Sequence, residues 1–309
     1  LSSGARRVCV IGPLADAWRE MRGPWAAAGY EEPSVTVLAG LRAALPNATV
    51  ELAEGVTISG ADRSGTTAAA DLLSSGADAV VLCLGEAAEM SGEAACRTCP
   101  ELPGEQRSLA EAVLERARAS RIPVVVVLFC GRPLTVWWLV EQADALLVAW
   151  FPGTEAGNAI ADVVTGRVSP SGRTPITWPR SVGQIPLFYN QRNSGRPENP
   201  QDHYTSKYLD SPNSALFPFG FGLTYGRCVY ANLAVRPVSA TESDSIDVPV
   251  DVTNEGAHSV EETVFLFVRD LVASVARPTL ELKGVTKLAL EPGATGTARL
   301  RLPVAELRF

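Results

Sequence analysis

Two periodicities divide the chain. From residue 1 to about 182, short β-branched runs alternate with Ala/Leu-rich stretches. The runs are RRVCVIGP (6–13), ATVELAEG (48–55), ADAVVLCLGE (77–86), IPVVVVLFCG (122–131) and ADALLVAWFPG (143–153). They are apolar almost end to end, which predicts strands of a parallel sheet covered on both faces. Between them lie helical segments: PSVTVLAGLRAALP (33–46), GTTAAADLLSSG (65–76), EQRSLAEAVLERARAS (105–120) and EAGNAIADVVTG (155–166). Such alternation predicts an open α/β sandwich with a mostly parallel sheet.

The pattern breaks at Ser169-Pro170-Ser171-Gly172 and Trp178-Pro179-Arg180. Residues 183–226 hold many Pro, Gly, Asn and Tyr with little periodicity, and read as an aromatic-rich linker. A connection of that length is expected to pack on a domain or form a binding rim. From 227 the spacing becomes two-residue alternation: SIDVPVDVTNEG (245–256), EETVFLFVRD (261–270), LKGVTKLAL (282–290) and TARLRLPV (297–304). With turns at Asn254-Glu255-Gly256 and Pro292-Gly293, this predicts a fibronectin type III-like β-sandwich. Only about five strands fit before the last residue, so the sandwich is expected to be partial, lacking its C-terminal strands. The expected domains are therefore 1–182, the linker 183–226, and 227–309.

Composition narrows the function classes. A net charge of −7, from 27 Lys and Arg against 34 Asp and Glu, with no local basic cluster, argues against a nucleic-acid partner. The longest apolar runs fall short of the roughly 20 residues a membrane helix needs. The opening LSSGARRVCVIGP has no long apolar stretch or cleavage site and is not expected to be a secretory signal. Six scattered cysteines imply no disulfide framework.

The densest chemistry is GEAAEMSGEAACRTCPELPGEQRSL at 85–109, directly after a strand-like run. Loops at the C-terminal ends of a parallel sheet are where ligands bind, so Glu86, Glu89 and Glu93 fall in a favoured place. A carboxylic acid on such a loop, partly desolvated, suits general acid catalysis. A glycosidase also needs a second carboxylate at a defined distance, and spacing alone supplies none. The bland alternative is a solvated acidic loop. Glu86 has a structural alternative, capping its strand end through loop amides. Cys96 and Cys99 share a C-x-x-C spacing, weak evidence for redox or metal chemistry with only His203 and His258 elsewhere. No metal and no cofactor are expected. GTEAGN (153–158) fits neither the dinucleotide fingerprint nor the P-loop; Thr154 is expected to be a helix N-cap there. Trp137, Trp138 and Trp150 are expected in the core. Trp178, Phe188, Tyr189, Tyr204 and Tyr208 are expected to pack against a neighbouring domain.

Several stretches resemble a known family: VIGPLADAWREMRGPWAAAGYEEPSVTVLAGL, LGEAAEMSGEAACRT, GRPLTVWWL, AWFPGTEAGNAIADVVTGRVSPSGRTPITWPRSVGQIPLFYN, YTSKYLD and FPFGFGLTYG. Together they are similar to the C-terminal two thirds of a bacterial β-glucosidase of glycoside hydrolase family 3. The resemblance implies a preceding (β/α)8 barrel domain of the same protein, which carries the nucleophilic Asp. It implies that Glu93 is the general acid/base, and it brings Arg97, Glu89 and Glu86 forward as substrate-binding candidates. Arg97 is expected to hold the loop or an acceptor sugar. The implied activity is exo-acting, retaining removal of terminal β-D-glucose from a β-glucoside or oligosaccharide, in the periplasm or outside the cell. By itself this chain is expected to be inactive, lacking the nucleophile. A non-catalytic carbohydrate-binding or scaffolding fragment is the alternative, and a homodimer is left open.

Overall fold

The structure, a computed structural model, describes Leu1 and residues 4–27 and 32–308; residues 28–31, inside the first family-like stretch, lie outside them. The chain forms two compact units, residues 1–168 with 180–182, and residues 169–179 with 183–309.

The first unit is built on five parallel strands: β1 (Arg7–Ile11), β2 (Thr49–Ala53), β3 (Ala79–Gly85), β4 (Val124–Phe129) and β5 (Ala145–Val148). Their order is β2-β1-β3-β4-β5. The chain runs outward once and then crosses back past β1, so the sheet has a switch point between β1 and β3. Every residue of β3 is buried, as a strand covered on both faces requires. At about 1.5–3 kcal/mol for each large apolar side chain, these central strands are the main source of the unit's stability.

The helices are α1 (Val37–Ala44), α2 (Thr66–Asp71), α3 (Gln106–Ser120), α4 (Trp137–Val140) and α5 (Ala156–Val164). Thr36 caps α1, its hydroxyl accepting from Ala39 N at 3.2 Å and donating to Asp16 at 2.7 Å. α1 and α5 touch backbone to backbone. A Cβ on Gly157 would lie 1.8 Å from Thr36 O, and one on Gly40 would lie 2.1 Å from Gly157 O. The second glycine of GTEAGN is therefore needed for helix packing. Thr154 does not cap α5: the N-cap is Glu155, without a side-chain capping bond. Thr154 instead lends its carbonyl to Val35 N at 2.8 Å. Trp138 is buried as expected, with Arg107 stacked over its ring at 4.8 Å. Trp137, its neighbour on α4, is exposed, because so short a helix turns only one of the pair inward.

The second unit holds β6 (Cys228–Ala231), β7 (Ser245–Asn254), β8 (Val260–Val268), β9 (Glu281–Leu290) and β10 (Thr295–Pro303). All pairs are antiparallel, in a three-stranded sheet β10-β7-β6 and a two-stranded sheet β8-β9. Val248, Val250 and Val252 of β7 alternate into one core with Val260 and Val264 of β8 and Ala298 and Leu300 of β10, the signature of a sandwich. Buried Asn254 fixes the β7–β8 turn: its amide donates to His258 O (2.8 Å) and Leu290 O (3.1 Å) and accepts from Gly256 N (3.0 Å). Within this unit the residues before β6 pack on β8. Tyr189 stacks on Phe219 at 4.6 Å, and Phe219 meets Phe265 and Phe267 edge-on. Trp178 is fully buried against Phe217, whereas Tyr204 and Tyr208 are exposed.

Among the described residues no helix is long and apolar enough to cross a membrane.

Candidate active site

β3 delivers its C-terminal end into a crowded corner beside β4. Gly85 has φ +139°, and a Cβ there would lie 1.8 Å from Phe129 O, so only glycine fits. Gln106 at the start of α3 secures this glycine on both sides, accepting from Gly85 N (2.8 Å) and donating to Gly85 O (2.7 Å). The strand end is therefore rigid where the loop begins.

Glu86 follows, and its side chain is fully buried. One carboxylate oxygen accepts from Arg97 Nη1 at 2.7 Å, and Arg132 Nε lies 3.2 Å from the same oxygen. The other accepts from Ser91 Oγ at 3.3 Å, Arg132 Nε at 3.3 Å and Gly131 N at 3.4 Å. A buried carboxylate survives without water only with such partners. Glu86, expected among the substrate-binding residues or as a cap on loop amides, is thus engaged mainly by two guanidinium groups. Arg97 points inward to the same carboxylate.

The guanidinium of Arg132 does more than neutralise Glu86. Its Nη2 donates to Met90 O and, at 2.8 Å, to Ala95 O. These carbonyls bracket Glu93, so one planar group closes residues 90–95 into a ring. Gly131 makes room for this: a Cβ there would lie 2.3 Å from Ser91 Oγ. At the tip, Gly92 (φ +97°) and Ala94 (φ +60°) adopt left-handed backbone on either side of Glu93. Beneath it, Gly92 rests on Pro24 and Trp25, within 3.2–3.4 Å of where its Cβ would be. Ala88 N donates to the Glu20 carboxylate, anchoring the start of the loop.

Glu93 itself is exposed and makes no hydrogen bond or ion pair among the described residues. Glu89 is exposed as well. Cys96 and Cys99 are exposed free thiols rather than a disulfide. Cys130, at the end of β4, is buried, and burial, with the nearby Glu86 charge, pushes its thiol well up. Among the described residues no group of three or more His, Cys, Asp or Glu could hold a metal ion. The sequence reading brought Glu86, Glu93 and Arg97 to one loop but overlooked Arg132. Its signal was a charged residue directly after the neighbouring strand, in Gly131-Arg132-Pro133.

An α/β unit followed by an antiparallel sandwich is the arrangement that the comparisons with known proteins identify. Residues 1–225 match the glycosyl hydrolase family 3 C-terminal domain, and 262–309 match the fibronectin type III-like domain. The chain belongs to glycosyl hydrolase family 3. It is 38% identical to a periplasmic β-glucosidase of Salmonella typhimurium over 98% of its own length, and 33% identical to a β-xylosidase of Formosa agariphila over 99%. The crystal structure of a β-glucosidase from Listeria innocua in complex with glucose superposes with a TM-score of 0.89 at 35% identity, covering 98% of this chain and 41% of that one. The chain spans 42% of the length of both curated relatives, rather than the two thirds that the sequence resemblance suggested.

Proposed function

We propose that this chain supplies the general acid/base of an exo-acting, retaining β-glucosidase, with Glu93 in that role. The observation that carries the reading is the contrast at one loop: an exposed carboxylate at the tip, with no partner among the described residues, above a base locked by a buried carboxylate and two arginines. A general acid needs a reachable proton and a fixed position, and such a loop offers both. In the reaction, Glu93 gives its proton to the glycosidic oxygen as the aglycone leaves, and an Asp of a preceding barrel domain attacks the anomeric carbon. Water then enters, Glu93 takes its proton, and the glycosyl–enzyme bond breaks with retention of configuration. A retaining pair stands about 5–5.5 Å apart, so the loop must reach into the barrel's pocket. Terminal β-D-glucosyl residues are the substrate class favoured by the β-glucosidase relatives, and the periplasm is favoured by the name of one of them. Of the further candidates, Glu89 is exposed on the same loop and is proposed to meet the aglycone side, while Arg97, turned in to Glu86, supports the loop. The chain on its own is proposed to be inactive.

The test uses the full-length protein that contains this chain. Glu93→Gln is expected to lower cellobiose turnover on the order of 10²–10⁴-fold, while a dinitrophenyl β-glucoside, whose leaving group needs no proton, still glycosylates the enzyme. With Glu93→Ala, azide should accelerate breakdown of that intermediate and yield β-glucosyl azide. Unimpaired cellobiose hydrolysis by Glu93→Gln would remove Glu93 from the mechanism.

A further inference from the structure

We propose that Arg132 is the positioning residue for Glu93, a clamp that sets where the loop tip can sit; this rests on the reading of Glu93 as the acid/base. Arg132 stands 39 positions along the chain from Glu93, on the loop that follows β4, yet it holds both flanks of the tip. Its Nη2 reaches Met90 O three residues before Glu93 and Ala95 O two residues after it. Its Nε faces the fully buried Glu86 at 3.2 Å, which fixes the guanidinium plane. Arg97, the other arginine on Glu86, bonds neither carbonyl; among the described residues its bond is to the carboxylate, at 2.7 Å.

Three features make the geometry specific to arginine at this position. A lysine carries its three donors on one nitrogen and cannot reach the two carbonyls and the Glu86 carboxylate at once, whereas the planar fork meets the carbonyls through Nη2 and the carboxylate through Nε. Gly131 has no side chain, and Ser91 fills that space, so the peptide carrying Arg132 lies directly against the loop. The left-handed backbone at Ala94 is one that a non-glycine residue seldom adopts, and the clamp to Ala95 O holds it from the adjoining residue. Without Arg132, Glu93 would remain on the surface, but the ring 90–95 would be open, and the carboxyl would sample positions away from the glycosidic oxygen.

The proposal is tested in the full-length protein with Arg132→Met and Arg132→Lys, alone and combined with Glu93→Gln. A displacement of about 1 Å at the reacting group costs on the order of 100-fold. Cellobiose kcat should therefore fall about 100-fold in Arg132→Met, with KM little changed. Formation of the glycosyl-enzyme from the dinitrophenyl glucoside should stay at the wild-type rate. Because the clamp acts through Glu93, the double variant should be no slower on cellobiose than Glu93→Gln alone. Equal losses on both substrates, or a double variant far slower than Glu93→Gln, would overturn the clamp in favour of a general structural role. So would wild-type cellobiose kcat in both Arg132 variants.

Should Arg132→Met fail to fold, Arg132→Lys, which keeps a charge beside Glu86, carries the same kinetic comparison. Amide hydrogen exchange of residues 87–97 adds a readout that needs no assumption about Glu93. It should speed up selectively in Arg132→Lys; unchanged protection there would overturn the clamp even if the kinetics changed. Wild-type cellobiose activity in Glu93→Gln would instead reject the acid/base reading, leaving the exchange result to judge the clamp separately.

Discussion

Glu86 in the first unit and Glu262 in the second are both buried acids paired with arginine, yet they hold different things. Glu262 lies on β8, where Arg173 Nη2 donates to it at 2.8 Å and the Tyr230 hydroxyl at 2.8 Å. Those partners come from the segment before the sandwich and from β6, so the carboxylate joins pieces of scaffold. Glu86 lies at a strand's end, and its partners Arg97, Arg132 and Ser91 all belong to loops. A strand interior needs no side chain to fix its backbone, because the ladder does so. A loop has no ladder, and here the buried ion cluster takes its place.

Removing either acid should show this difference in size and kind. Glu86→Ala strands two guanidinium groups, each only about a fifth exposed, and is expected to cost about 4 kcal/mol, since breaking a buried pair leaves uncompensated charge. Glu262→Ala strands one, and about 3 kcal/mol is expected from the same cause. Urea unfolding measures both. In the full-length protein, Glu86→Ala should also lose cellobiose turnover, while Glu262→Ala, once folded, should keep it. Equal activity losses in the two variants would mean that the Glu86 cluster has no special tie to the loop.

The two regions were also unequally legible in the sequence. Most strands of both units announce themselves, because a run such as VVLCLG or VPVDV fixes its burial by composition and alternation alone, whereas β6 (Cys228–Ala231), four residues long, falls outside the runs read from the sequence. α4 does not, being a single turn whose Trp-Trp pair looks uniformly apolar although one ring faces solvent. Thr154 looked like a cap because Thr commonly is one, but the helix begins a residue later and the Thr154 carbonyl is engaged elsewhere. At the site, Glu86 and Arg97 are neighbours in sequence and could be suspected together. Arg132 meets them only because β3 and β4 lie side by side, pairing Gly85 with Phe129. No spacing along the chain encodes that register. Glu93 is a different case: an exposed Glu on a loop carries no signal of its own, and only the likeness to family members singled it out from Glu89.

A smaller perturbation sharpens the contrast without touching charge. Gly131→Ala places a Cβ 2.3 Å from Ser91 Oγ and 2.5 Å from Ser91 Cβ, so the loop must move. About 2 kcal/mol is expected, as for other overpacked sites. Gly172→Ala in the second unit meets nothing within 4 Å and should lie within about 0.5 kcal/mol of wild type. Pairing Gly131→Ala with Ser91→Gly empties the contested space and should recover much of the loss, a coupling that a double-mutant cycle isolates. Additive effects would place the strain elsewhere.

The weakest expected effect comes from an acid that holds backbone rather than arginine. Asp78, just before β3, accepts from Arg6 N at 2.7 Å and Arg7 N at 2.9 Å, and these two bonds hold its carboxyl below the ordinary aspartate value. Since the folded value is the lower one, the unfolded chain takes up the proton first as pH falls. The stabilisation is therefore complete above an ordinary aspartate value of about 3.9 and is lost as pH drops through the folded one. Asp78→Asn should flatten the acid limb of stability against pH below about pH 5 and slightly lower stability at neutral pH, where the charged carboxylate holds both bonds and the amide oxygen holds them less strongly. An acid limb identical to wild type would show that these exposed bonds are replaced by water at no cost, leaving the loop cluster around Glu86 as the place in this unit where a carboxylate decides the structure.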